Sequence, residues 1–77
     1  MKSHIQLKLF ASLQKFTPAS ADNYAIEAGT TVGELLQQLD IPQEVVKIVF
    51  IDNLHAEFTS VLKGGERVGI FPPVGGG

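Results

Sequence analysis

Val32, Leu35, Leu36 and Leu39 recur at i, i+3, i+4 and i+7, the spacing of one helical face. Thr31 stands just before them and Glu34 three residues after Thr31. That is the capping-box pattern, in which each residue's side chain accepts from the other's backbone amide. Asp40-Ile41-Pro42 closes the stretch, because the residue before a proline resists helical backbone angles. This amphipathic helix needs an apolar surface to lie on, and most of the remaining chain reads as strands.

Residues 4–10, His4-Ile5-Gln6-Leu7-Lys8-Leu9-Phe10, alternate from polar to apolar. Ile5, Leu7 and Leu9 share one face, as in a half-buried strand. Phe10 breaks the parity and falls on the polar face. Residues 11–22 read as a polar loop containing Thr17-Pro18, and residues 23–27 as a second strand with Tyr24 and Ile26 inward. The two strands are expected to form an antiparallel hairpin. Residues 45–51, rich in β-branched side chains, predict a third strand. Asp52-Asn53-Leu54-His55 is then a turn, Ala56-Glu57-Phe58 a short fourth strand, and residues 59–62 a single helical turn. Lys63-Gly64-Gly65 is a further turn, and residues 66–71 form the last strand with Val68 and Ile70 inward. One helix between two groups of strands packs most simply across one face of a mixed sheet. The predicted class is α+β, with the first and last strands parallel neighbours at the sheet centre.

The last eleven residues carry the functional signal. Phe71 is followed by Pro72 and Pro73, one further apolar residue, Val74, and then Gly75-Gly76-Gly77. The prolines favour an extended path. Glycines lack a β-carbon and pass through channels too narrow for other residues. The exposed group at this end is the Gly77 α-carboxylate, ionised at neutral pH. We divide the chain into a domain, residues 1–72, and an extended tail, residues 73–77. Phe10 and Phe71 each follow an inward residue, so both are expected to point away from the helix and to meet at the base of the tail. They are predicted to contact a partner, and His55 is placed in the same partner-binding set.

Several other functions are disfavoured. A chain of 77 residues buries only about 60% of its unfolded surface, which leaves little room for a deep enzyme cleft. It has no cysteine, hence no disulfide, thiolate metal site or cysteine nucleophile. Its net charge is −2 with both signs scattered, so it lacks the basic footprint of a nucleic-acid binder. No apolar run approaches the ~20 residues of a membrane span. Met1-Lys2-Ser3-His4 leads into the alternating pattern with no signal-peptide core, and a cytoplasmic location is expected. His4 and His55 lie far apart in sequence without clustered carboxylates, so no metal site is expected. Gly64-Gly65 is too short for a phosphate loop and precedes a strand.

Four motifs carry a family likeness: Leu9-Phe10-Ala11, Thr31-Val32-Gly33-Glu34-Leu35-Leu36, Leu62-Lys63-Gly64-Gly65-Glu66-Arg67-Val68, and Phe71-Pro72-Pro73-Val74 ahead of a terminal Gly-Gly. Over its whole length the chain resembles the MoaD/ThiS family of sulfur carriers. The resemblance implies a β-grasp (ubiquitin-like) fold, with a mixed four- to five-stranded sheet and one main helix across one face. It also implies a non-catalytic carrier that binds no cofactor of its own. An E1-like adenylyltransferase, using ATP and magnesium, would adenylate the Gly77 carboxylate. A sulfurtransferase or other sulfur donor would convert it to a thiocarboxylate. The tail would then deliver sulfur to a pterin precursor in the large, catalytic subunit of molybdopterin synthase. Phe-Pro-Pro-Val points to this branch. Thiamine thiazole synthesis, or ubiquitin-like conjugation to proteins through Gly77, are the alternatives.

Overall fold

The computed structural model describes residues 2–73, with Lys2 by its backbone alone. Strand β1 (Lys2–Leu9) is followed by 3-10 segments at Ala11–Phe16 and Ala21–Asn23, then by β2 (Tyr24–Glu27) and helix α1 (Val32–Gln38). A 3-10 turn at Gln43–Val45 leads to β3 (Ile48–Ile51), β4 (Leu54–Ala56) and β5 (Arg67–Phe71). The sheet order is β2-β1-β5-β3-β4. β5 is central, parallel to β1 and antiparallel to β3. This is the β-grasp arrangement, with the predicted hairpin of β1 and β2 and the predicted parallel neighbours at the centre.

Helix α1 starts where the capping box places it. The Thr31 side chain accepts from the Glu34 amide at 3.1 Å, and the Thr31 amide donates to Glu34 Oε1 at 2.9 Å. Two more first-turn amides find partners outside the helix: Val32 N–H donates to the Ser60 carbonyl and Gly33 N–H to the Phe58 carbonyl. Residues 59–62 are therefore not the expected helical turn. The Phe58 and Ser60 carbonyls are drawn alongside the start of α1, where they satisfy donors that a helix cannot satisfy internally, and Val61 bridges Thr31.

At the other end Asp40 is left-handed, φ 60°. Ile41 N–H donates to the Leu36 carbonyl and Asp40 N–H to that of Gln37. These are the two bonds of a Schellman stop, completed by apolar contact across the turn. Leu36 and Ile41 are both buried.

Ile5, Leu7 and Leu9 of β1, Val68 and Ile70 of β5 and Val49 of β3 bury one sheet face against Val32, Leu35 and Leu36. Leu39, the last residue of the predicted stripe, is only partly buried, because it caps the helix end.

Three other expectations are corrected. The loop over residues 11–22 holds two 3-10 segments, and Leu13 within it is a core residue at 2% exposure. The third strand is shorter than residues 45–51, since Val45 lies in a 3-10 turn. The fourth strand is Leu54–Ala56, two residues earlier than expected. The turn before it is only Asp52-Asn53, both left-handed at φ 52° and 68°, the two-residue hairpin geometry that matches strand twist. Asp52 is pinned to β5: Arg67 N–H donates to Asp52 Oδ1 and Asp52 N–H to the Arg67 carbonyl.

Candidate functional site

Strand alternation sends every second side chain of the sheet away from α1. On this open face the register sets out cross-sheet rows. Lys8, Gly69, Phe50 and His55 form one row, on β1, β5, β3 and β4 in turn. Gln6 faces Arg67 in the row on one side of it. On the other side Phe71 faces Ile48, and Phe10, just past the end of β1, comes alongside Phe71.

The Phe10 and Phe71 rings stack, with centroids 4.0 Å apart and planes 4° from parallel. Phe50 meets Phe71 edge to face, at 5.6 Å and 87°. His55 meets Phe50 the same way, at 6.2 Å and 84°. Such geometries suit the aromatic quadrupole. The three residues named from sequence as partner-binding, Phe10, Phe71 and His55, are thus linked in one group. His55 belongs to β4 and not to the turn in which the sequence pattern placed it. Phe50 joins them without having been singled out. Its signal was its position next to inward Val49, but only the strand order puts it beside Phe71.

The base of the tail is held on both sides. Phe10 N–H donates to the Ile70 carbonyl, and Lys47 N–H donates to the Phe71 carbonyl at 2.8 Å. The ladder thus runs to the last residue before Pro72. Ala11 is left-handed, φ 52°, which is uncommon for a residue with a β-carbon; it turns the chain out of β1 immediately after the stacked Phe10. Of the named tail residues, Pro72 is half-buried and Pro73 exposed. Val74, Gly75, Gly76 and Gly77 lie outside the described residues. His4 is exposed on the same sheet face but joins no aromatic contact. Among the described residues no group of three or more His, Cys, Asp or Glu could hold a metal, and no helix is long and apolar enough to cross a membrane.

The model of the ThiS family matches residues 7–77. The chain belongs to the ThiS family. Comparison with curated proteins gives no match. Solved structures support the fold. The HVO 2177 protein of Haloferax volcanii superposes with TM-score 0.77 at 19% identity, covering 99% of this chain and 88% of that one. The small archaeal modifier protein 1 of H. volcanii gives 0.68 at 21%, covering 94% and 99%. A Pyrococcus furiosus protein assigned as molybdopterin converting factor, subunit 1, gives 0.64 at 22%, covering 94% and 99%.

Proposed function

We propose that this ThiS-family protein is a sulfur carrier that works through the Gly77 carboxylate in molybdopterin synthesis. A carboxylate is a poor electrophile because its charge is delocalised. An E1-like partner, supplying ATP and magnesium, turns it into an acyl-adenylate with loss of pyrophosphate. A sulfur donor then displaces AMP and leaves a thiocarboxylate. The large subunit of a synthase receives the tail, and the sulfur passes to a pterin precursor. The carrier itself contributes no catalytic acid, base or metal. It contributes an acyl group and its placement.

The observation that carries this reading is the anchoring of β5 where the chain leaves the sheet. β5 is hydrogen-bonded to its end on both edges, with the Ile70 carbonyl accepting from Phe10 N–H on the β1 side and the Phe71 carbonyl from Lys47 N–H on the β3 side, and Pro72-Pro73 follow at once. The chain therefore leaves the sheet from a strand held on both edges, beside an aromatic patch of Phe10, Phe71, Phe50 and His55 suited to docking a partner. Phe71-Pro72-Pro73-Val74 favours the molybdopterin branch over thiamine thiazole synthesis. The second reading, a protein modifier conjugated through Gly77, draws support from the match to small archaeal modifier protein 1.

The test alters the tail length. Deleting Gly77 withdraws the carboxylate by about one residue, ~3.3–3.6 Å, and a misplacement of ~1 Å already costs about 100-fold in rate. Adding a residue after Gly77 is expected to be as harmful. Both variants should fold as wild type does. Adenylation and thiocarboxylation by the cognate activating enzyme are then followed by mass spectrometry. Wild-type rates in both variants would refute Gly77 as the reacting terminus.

A further inference from the structure

Gly69 occupies the middle of the central strand, where a missing side chain weakens a sheet and often marks a close approach by something else. Among the described residues nothing requires glycine there. Its φ is outside the left-handed range that marks Gly29, Gly64 and Gly65. A β-carbon would lie 3.5 Å from Phe10 Cε2 and 3.7 Å from Phe71 Cε1, ordinary contact distances.

The absent side chain does leave the open face of the sheet hollow. Gly69 lines a depression of about 560 Å³ whose apolar walls are Phe10, Phe71 and Phe50. Lys8 and Arg67 line it as well, with Asp22 as the one acid. Neither Lys8 nor Arg67 uses its head group in an ion pair among the described residues. Asp52, beside Arg67, has its Oδ1 committed to the Arg67 backbone amide. The hollow thus combines a recess floored by bare backbone, aromatic walls and two uncommitted cations, next to the strand end that aims the tail.

We propose that Gly69 is a specificity-determining residue: the activating partner seats one bulky apolar side chain over it, with a carboxylate alongside facing Lys8 and Arg67. The inference rests on the carrier reading above and adds to it the chemistry of the partner's contact. A protein occupant is favoured because this face is continuous with the end of β5, where the chain leaves the sheet beside Phe10 and Phe71. Two cations against one acid leave the lining net positive, which complements an acidic rim.

The test uses the full-length protein and its cognate adenylating enzyme. Gly69→Leu fills the recess and is expected to raise the KM for the carrier by ~10-fold or more, as for a central interface contact, with kcat near wild type. Gly69→Ala should stay within about threefold, since it adds one methyl in ordinary contact. A second variant, Lys8→Glu with Arg67→Glu, leaves the hollow unfilled. It should also raise KM and should remove the decline of kcat/KM with added salt, a change that a merely structural role would not produce. Unchanged unfolding midpoints would confirm that both variants fold.

Binding without chemistry is read by titrating the ¹⁵N-labelled protein with the enzyme in the absence of ATP. Perturbation of the Gly69 and Phe50 amides is expected. If wild type is adenylated while both variants keep its KM, the inference fails and the carrier reading stands. If the enzyme perturbs the hollow but never adenylates Gly77, the carrier reading fails and the inference stands. No perturbation at the hollow, or perturbation by AMP alone, overturns the inference.

Discussion

The two faces of this sheet are built from one set of strands and differ in almost every other respect. The face under α1 is aliphatic: Leu35, Leu36, Val32 and Ile70 are 0% exposed. The opposite face carries stacked phenyl rings, lysine, arginine and a bare glycine around an open hollow. The covered face lowers the free energy of the fold by removing apolar surface from water. The open face leaves Phe10, Phe50 and Phe71 only partly buried, and the docking role proposed above gives that exposed aromatic surface a partner. A domain this small has little stability to spare. That makes the division of labour between its faces open to direct test.

The largest expected effect on stability is at the covered face. Leu36→Ala should cost roughly 2–5 kcal/mol, read from chemical unfolding. A loss below ~1 kcal/mol would mean that α1 does not seal the sheet as described. Phe71→Ala should behave in the opposite sense. It removes the stacking with Phe10, worth about 0.5–1.5 kcal/mol beyond area, and leaves a folded monomer, while affinity for the partner falls by ~10-fold or more. If calorimetry shows unchanged affinity for both Phe71→Ala and Phe10→Ala, the open face is not the docking surface. Thr31→Ala belongs to neither face and should have the smallest effect, about 1 kcal/mol from loss of the cap. A cost as large as that of Leu36→Ala would mean that the helix start, and not its buried stripe, governs stability.

The covered face was largely legible in the sequence. Period-two alternation in residues 4–10, the stripe Val32, Leu35, Leu36 and Leu39, and the Thr31/Glu34 pair are local signals, and the structure repeats them. Leu13 was missed because only one further large apolar residue, Phe16, accompanies it in a largely polar stretch, and a 3-10 segment this short gives too few repeats to read as a pattern. The β4 register was missed because Asp52-Asn53 forms a two-residue turn without the glycine that usually marks one, held by backbone bonds to distant Arg67. The stacked pair Phe10 and Phe71 followed from parity and parallel pairing. Phe50 and the role of Gly69 did not, because they depend on which strand lies next to β5, a non-local fact.

The central claim is that the chain carries its function at Gly77, with the folded body serving to aim and dock it. The intact mass of the protein recovered from its native host tests this most directly. The account predicts a species in which one terminal oxygen is replaced by sulfur, lost when Gly77 is deleted. A ladder of larger conjugates without that species would identify a protein modifier instead. Unmodified protein alone, under conditions where the pathway is active, would contradict the account.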